Sequence, residues 1–365
     1  MLYPVFLLVY FLSSCLSLVF YRKNFPFLSR KFGYLLWFFA TFIFWVTRPL
    51  APYLADCVLK ILSMFGGYWT FFLYYTLLLY LLHSLVLFAL KRFKKTTIRL
   101  NYFSLLITKA GLFIIFICMI VGTFEAYNPI VRHEIINTKK ITEPVKIVLI
   151  SDLHLGTFLG KEYCEKMVEK INAEKPDLVL IAGDIVDDRY AIVKQQKSMQ
   201  SLANIKAKSG VVAVLGNHDY FDRKTDEEIK DLKKLGVSVL INESIRFNEI
   251  CVVGLKDFSK DQSITSLRDL AINNNSNDDF LILLEHQPRR IIEASDAGYA
   301  LYLAGHTHGG AFFPNQFFTS IIHKLNYGRK QFSAMTAIVT SGYGFFGIPV
   351  RTGVNPEYVV IDLKP

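Results

Sequence analysis

Four long apolar runs crowd the first third of this chain: Leu2 to Phe20, Phe32 to Thr47, Tyr68 to Leu90 and Phe103 to Phe124. They restrict its fold more than any other feature. A backbone placed in lipid must satisfy its own N–H and C=O groups, so single runs of this kind become helices. A span takes about 17 to 25 mostly apolar residues. The first, third and fourth runs reach that length, and the shorter second run reaches it by extending past Arg48, whose long stem can snorkel to the interface. No basic segment precedes the first run and three more apolar runs follow it, which argues against a cleaved signal peptide. The stretch from Ala51 to Phe65, with Asp56 and Lys60 inside it, reads as a partly amphipathic interfacial helix. Residues 1–125 are therefore expected to form a membrane domain with about four transmembrane helices, over 2–20, 32–47, 68–90 and 103–124.

Charge follows the same division. Of 41 Lys and Arg and 31 Asp and Glu, residues 1–125 hold 12 and 2, which leaves 29 of each sign for the remainder. The net charge of +10 thus belongs to the apolar third. It gathers in two short segments, Arg22, Lys23, Arg30 and Lys31 in one, and Lys91, Arg92, Lys94, Lys95 and Arg99 in the other. Basic residues between apolar runs act as topology signals and headgroup contacts, so a bilayer is the expected partner and nucleic acid is not. With four spans both basic loops fall on the cytoplasmic side, and everything after Phe124 falls outside it. His83 and Lys109 lie within apolar runs; Lys109 can snorkel and His83 has no evident carboxylate partner, so neither suggests a relay. Five cysteines are scattered without a C-x-x-C spacing, which indicates neither a zinc cage nor a redox pair and leaves them as small apolar residues.

From Val145 onward, short β-branched runs alternate with amphipathic segments. Val145 to Ser151, Leu178 to Ala182, Val211 to Leu215, Ile250 to Val253, Phe280 to Leu284, Leu301 to Ala304, Ala337 to Thr340 and Tyr358 to Leu363 suit buried strands. Helix signals lie between them, such as Thr225 with Glu228 as a capping box opening a segment that stops at Gly236. A layered α/β domain over 145–365 follows, joined by a linker over 126–144.

Five of the strands end in polar loops: Asp152-Leu153-His154, Gly183-Asp184, Gly216-Asn217-His218-Asp219, His286, and Gly305-His306-Thr307-His308-Gly309. The C-terminal ends of strands in a layered sheet are where loops converge on a ligand. Carboxylate and amide oxygens combined with imidazole nitrogens suit Mn²⁺, Fe or Zn²⁺. Asp187, Asp188 and Glu285 read as solvent-facing or supporting groups, and His133 and His323 as ordinary residues.

This ordered series resembles the calcineurin-like metallophosphoesterase superfamily, and Ser341-Gly342-Tyr343-Gly344 and Ile348-Pro349-Val350-Arg351 resemble its membrane-associated branch. The resemblance implies a four-layer α-β-β-α sandwich holding two divalent ions. One ion would be bound by Asp152, His154, Asp184 and His308, the other by Asp184, Asn217, His286 and His306, with Asp184 bridging. It also implies that His218 is not a ligand but acts at the phosphate, with Asp219 orienting it. Two metals of this kind acidify a shared water and clamp the phosphoryl oxygens. The expected function is a membrane-anchored phosphomonoesterase or phosphodiesterase acting outside the cytoplasm on a membrane-associated or lipid-linked phosphate ester. Two alternatives are pyrophosphate cleavage of a nucleotide-linked lipid precursor, as in the UDP-diacylglucosamine hydrolases, and a non-catalytic scaffold. Adjacent phenylalanines cannot both point inward along a strand, so part of the set Phe312, Phe313, Phe317, Phe318, Phe345 and Phe346 is expected to be exposed beside the site.

Overall fold

A computed structural model of the chain describes residues 2–93, 98–187, 189–261, 266–272 and 279–365. Two compact units result, Met1–Phe124 with Gly347–Val350, and Glu125–Phe346 with Arg351–Pro365.

The first unit consists of α1 (Leu2–Arg22), α2 (Lys31–Leu50), α3 (Asp56–Phe93) and the start of α4 (Ile98–Tyr127), so each apolar run is a helix. Asp56–Leu90 and Tyr102–Tyr127 are long and apolar enough to cross a membrane; Leu7–Arg22 and Lys31–Thr47 are shorter apolar segments. At about 1.5 Å per residue α3 is a rod of roughly 57 Å. From Asp56 onward the expected interfacial segment is simply its first turns, because no Pro or Gly breaks the chain between Asp56 and Phe65. Lys94 and Lys95 lie outside the described residues.

Polarity in this unit is turned inward. Ser14 and Thr41 hydroxyls are 2.7 Å apart, the Tyr21 and Thr76 hydroxyls 3.1 Å, and His83 Nε2 lies 2.9 Å from Ser104 Oγ, giving His83 a partner that the sequence did not suggest. Leu35, Phe38, Phe88 and Phe113 are exposed. Hydroxyl pairs inside and large apolar side chains outside are the arrangement that lipid favours. Cys15 and Cys57 also sit on exposed faces, unlike the expected small buried residues, whereas Cys164 and Cys251 are buried.

Among the described residues the second unit holds twelve strands: β1 (Ile130–Asn137), β2 (Val145–Ile150), β3 (Leu178–Ala182), β4 (Val211–Val214), β5 (Val237–Val239), β6 (Glu243–Phe247), β7 (Ile250–Gly254), β8 (Phe280–Leu284), β9 (Leu301–Ala304), β10 (Gly328–Phe332), β11 (Met335–Val339) and β12 (Glu357–Lys364). Its helices are α5 (Lys161–Ala173), α6 (Tyr190–Gln196), α7 (Thr225–Lys234), α8 (Leu267–Ile272), α9 (Ile291–Asp296) and α10 (Asn315–Ile322). One sheet has the order β1-β12-β2-β3-β4-β5, the other β10-β11-β9-β8-β7-β6. Pairing is parallel from β2 through β5 and from β7 through β8 and β9 to β11.

The period-two alternation of a strand sorts side chains into layers. Ile147 and Leu149 of β2 join Val252, Ile282 and Leu303 between the sheets. Val148 and Ile150 face the opposite way and pack with Cys164, Met167, Val168 and Ile171 of α5 and with Val193 and Leu232. Cys251, Leu283 and Tyr302 on the far side of the second sheet meet Leu267, Ile291 and Ala294. Helix, sheet, sheet and helix form the four expected layers.

All eight apolar runs are strands. The segment 126–144, expected as a linker, instead carries β1, which pairs parallel with β12 along its whole length. The capping box also differs: Thr225 is the first residue of α7, which has no side-chain cap, and its hydroxyl donates to the Asp219 carbonyl at 2.9 Å.

Candidate metal centre

Every predicted ligand follows a buried strand, and the parallel strands deliver their loops to one end of the two sheets. Asp152 and His154 follow β2, Asp184 follows β3, Asn217 follows β4, His286 follows β8, and His306 and His308 follow β9. Five of them occupy the left-handed region: Asp152, His154, Asp184, His306 and His308 have φ of 53°, 46°, 51°, 73° and 51°. Side chains with a Cβ rarely settle there unless the surroundings impose it, and such residues cluster at functional sites. Backbone bonds hold them: the Asp152 N–H donates to the Gly183 carbonyl at 2.9 Å and the His154 N–H to that of Asp184 at 3.0 Å. Glycine is required where these loops touch. A Cβ on Gly216 would stand 2.1 Å from Asp184 Oδ1, and one on Gly305 would stand 2.0 Å from Ser151 Oγ.

The side chains form two groups that share Asp184. In the first, His154 Nε2 and His308 Nε2 are 3.2 Å apart, and Asp152 Oδ1 is 3.5 Å from His308. In the second, His286 Nε2 lies 3.2 Å from His306 Nδ1. Asp184 Oδ2 reaches both, 3.2 Å from His286 Nε2 and 3.8 Å from His154 Nε2. Asp152, His154 and His308 can offer ligand atoms within 4.8 Å of one another, and so can Asp184, His286 and His306.

Asp152 Oδ1 and Asn217 Oδ1 are buried without a hydrogen-bond partner. A buried acceptor left unpaired costs on the order of 1–3 kcal/mol, so these oxygens, that of Asp152 standing 3.5 Å from His308 Nε2, fit ligation of a cation. The donor set thus suits a dimetal site. His286 Nδ1 donates to the Ala182 carbonyl at 2.8 Å, which turns Nε2 toward Asp184.

Charges among these side chains are uneven. Burial alone would raise the Asp184 carboxyl, yet His286, His218 and His154 hold it well below the usual carboxylate range. His286 responds in kind: burial opposes its charge, but Asp184 raises it to about 10. His306 is lowered to about 4 by burial and by the neighbouring His286.

His218 forms a third such group with Asp187 and His154, the last shared with the first group. Its backbone N–H donates to Asp184 Oδ1 at 2.9 Å. Its Nδ1 donates to the Asp187 carbonyl at 2.5 Å and lies 3.4 Å from the Asp187 carboxylate. Burial would depress His218, but Asp187 and Asp184 raise it to about 9.

The expected orienting partner, Asp219, instead accepts the N–H groups of Val186 at 2.8 Å and Gly216 at 2.7 Å. Its carboxyl is committed to holding the loops after β3 and β4 together. Asp187 takes the orienting place and also approaches His154 Nδ1 at 3.5 Å; it is buried rather than solvent-facing. Glu285 is buried too, accepting from the Tyr302 hydroxyl and from the Arg289 and Arg290 N–H groups. Asp188 lies outside the described residues.

Arg351 was quoted only as part of a motif, yet its guanidinium is fully buried. It donates to His308 Nδ1 at 2.7 Å and to the carbonyls of His308, Ser341 and Gly344 at 2.8, 3.0 and 2.8 Å. Burial and this guanidinium push His308 well below its ordinary value. Among the adjacent phenylalanines, Phe345 is buried and Phe346 is exposed. The Phe346 ring lies 4.9 Å from that of His218 and 5.6 Å from that of His154. Phe221, also exposed, lies 4.4 Å from the His218 ring on centroids.

Comparison with known proteins agrees with this geometry. The sequence model for the calcineurin-like phosphoesterases matches residues 145–310. An uncharacterized metallophosphoesterase of Helicobacter pylori is 31% identical over 249 residues, covering 67% of this chain and 66% of its own. One from Aquifex aeolicus is 30% identical over 261 residues, covering 68% of this chain and 98% of its own. A zebrafish (Danio rerio) protein described as a transmembrane protein with metallophosphoesterase domain is 29% identical over 238 residues, covering 60% of this chain and 53% of its own. The chain therefore spans just under two thirds of the Helicobacter relative and about half of the zebrafish one.

Proposed function

From membership of the calcineurin-like metallophosphoesterase family, to which this chain belongs, we propose that its α/β domain is a two-metal phosphoester hydrolase, acting on a phosphate monoester or diester. One observation carries the reading: two carboxylate and imidazole groups meet at Asp184, and the buried Asp152 Oδ1 and Asn217 Oδ1 lack hydrogen-bond partners.

Asp152, His154, Asp184 and His308 would hold one ion, and Asp184, Asn217, His286 and His306 the other. Such ions, when bound, supply positive charge for the phosphoryl oxygens and acidify a water. Two carboxylates against two divalent ions leave a positive centre that attracts a phosphate anion. Oxygen and nitrogen donors without thiolate favour Mn²⁺, Fe or Zn²⁺. His218 keeps Nδ1 on Asp187, so Nε2 is its free nitrogen for the leaving-group oxygen. Carrying a proton, it neutralises charge there and can release that proton as the bond breaks.

The same reading makes this an integral membrane enzyme with several spans. Two helices are long and apolar enough to cross, and the shorter Leu7–Arg22 and Lys31–Thr47 would accompany them. The two basic segments support a catalytic domain outside the cytoplasm. Only Asn128 and Pro129 separate α4 from β1, a reach of about 7 Å at full extension. A tether that short favours substrates held at a membrane surface. Phe221 and Phe346, exposed beside His218, favour a lipid-linked ester with an apolar leaving group.

The test is hydrolysis by the full chain in nanodiscs, with aryl monoester, aryl diester, lipid phosphate and pyrophosphate panels in Mn²⁺, Zn²⁺ and Fe²⁺. Metal-dependent cleavage of a monoester or diester is expected. Cleavage confined to pyrophosphates would select the nucleotide-lipid alternative, and no cleavage with metal bound would leave a scaffold. For the orientation, a cysteine replacing Lys139 should react with an impermeant thiol reagent in intact cells or spheroplasts. Protection of that cysteine would move the domain to the cytoplasm.

A further inference from the structure

Helix α10 carries its polarity inside out. On one side Asn326 Nδ2 donates to the Gln316 carbonyl at 3.2 Å and to Thr319 Oγ1 at 2.8 Å, fastening that side to the domain. On the other stand Phe317, Phe318, Ile321 and Ile322, with relative exposures of 60%, 60%, 82% and 62%. Residues three and four apart are neighbours on a helix, so Phe317 adjoins Ile321 and Phe318 adjoins both Ile321 and Ile322, which joins the four into one apolar strip. None of the eight residues of α10 is buried.

The chain segment that carries this face is one-sided in charge. Between Asp296 and Glu357 the chain has no acidic residue and four basic ones, Lys324, Arg329, Lys330 and Arg351, in a region that is otherwise balanced. Arg351 is spent on His308 and its neighbouring carbonyls, and Arg329 donates to Glu134 and to the Ile135 carbonyl, while Lys324 and Lys330 are exposed. Apolar side chains flanked by cations match an anionic lipid surface, where the first enter the acyl boundary and the second meet headgroup phosphates. A second protein copy is a poorer fit. Four side chains present on the order of 400 Å², half of the ~800 Å² per partner of a standard interface.

We infer that α10 is an interfacial helix that inserts Phe317, Phe318, Ile321 and Ile322 into an anionic bilayer beside the metal centre. This rests on the membrane-bound reading above and adds to it a lipid contact within the catalytic unit. The helix begins seven residues after His308, and the ring of His323 at its far end lies 6.4 Å from that of His306. Insertion would bring the ligand loops to the depth of headgroup phosphates, where a lipid-linked ester presents its phosphorus.

The experiment uses the full chain with Cys15, Cys57 and Cys118 replaced by Ser, leaving only the buried Cys164 and Cys251. An environment-sensitive fluorophore is attached through Phe318→Cys, and in a second sample through Lys208→Cys, a position whose side chain is 80% exposed. Both are placed in nanodiscs of phosphatidylcholine and phosphatidylglycerol containing doxyl-labelled lipid. Several-fold stronger quenching at 318 than at 208 is the expected result. Equal quenching overturns the inference, and so does a blue-shifted but unquenched signal at 318, which would mean that protein covers the face. Hydrolysis of a soluble aryl phosphodiester in the same samples reports separately on the catalytic reading. Loss of lipid quenching with hydrolysis intact removes only the interfacial helix, and quenching without hydrolysis removes only the enzyme.

Discussion

The two sheets of the catalytic unit bring unlike chemistry to one cleft. Loops of the first supply the proposed ligand carboxylates, Asp152 and Asp184, with Asp187, the Asn217 amide, His154 and His218; loops of the second supply the imidazoles His286, His306 and His308, with the buried Asp257 after β7 acting on His286 and His306 without joining the donor groups. The acid that adjoins a ligand on the second sheet, Glu285, is turned away to Tyr302 and the Arg289 and Arg290 amides. The ligand carboxylates therefore come from one side, and the other side contributes imidazoles, of which His286 is neutral only once it ligates. Neither half of the donor set is confined to one sheet, so bound ions would also staple the sheets at their loop ends.

The sharpest way to break this division of labour is Asp184→Asn, which removes the shared carboxylate. We expect kcat to fall by at least about 10³-fold, the upper range for losing one group that meets developing charge, with loss of both ions by elemental analysis. His286→Ala should release only one of the pair. Equal metal loss in the two variants would show that the sheets are interchangeable as charge donors.

A smaller effect is expected at His218, which belongs to the acid-bearing side without being a ligand. His218→Ala should lower kcat by about 10²-fold, the lower end of the range for a general acid, while metal content stays intact. Release of metal from that variant would make His218 a ligand.

Asp187 and Asp219 sharpen the comparison within the first sheet. Asp187→Asn should cost about 10- to 100-fold in activity, as supporting groups do. It should also move the alkaline limb of the pH–rate profile downward, since Asp187 raises His218. Asp219→Asn should leave that limb in place and lower the melting temperature, because Asp219 accepts two backbone N–H groups. The reverse pattern would return the orienting role to Asp219.

The smallest effect concerns the metal-free protein. His218 and His286 are raised to about 9 and about 10. A raised histidine contributes stability that is complete below its unfolded value of about 6.5 and is lost as pH rises through the folded one. The melting temperature of chelated protein should therefore decline between about pH 7 and pH 10. Ligating imidazoles must be deprotonated, so restoring metal should flatten that slope, as His286→Ala should in part without metal. An unchanged slope in His286→Ala would mean that the second sheet carries no titrating charge.

What the sequence revealed follows from burial. The eight strands visible as apolar runs lie inside the two sheets, where both faces are covered. The four that were missed, β1, β5, β6 and β10, are the four edges. RHE within β1, ESIRF in β6 and GRKQF in β10 carry the polar residues that an uncovered edge tolerates, and β5 has only three residues. The motif residues were legible because each follows one of the buried strands. Asp187 was not, since an Asp-Asp doublet looks like a solvated turn until tertiary packing sets it between His154 and His218. Nor was the role of Arg351, which joins the nearby Ser341 and Gly344 carbonyls to His308, 43 residues away in the chain.

Five of the seven proposed ligands stand in the left-handed region. At about 1–2 kcal/mol each, less for Asp than for bulkier residues, their sum is on the order of 5 kcal/mol, comparable with the ~5–15 kcal/mol net stability of a whole domain. The backbone is thus held against its own preference at the points where ions would bind. A laboratory lineage selected only for heat tolerance, with no demand for turnover, should drift toward glycine at these positions before its buried strands change. The order in which the residues disappeared would rank the sites by how much each has been kept by use rather than by folding.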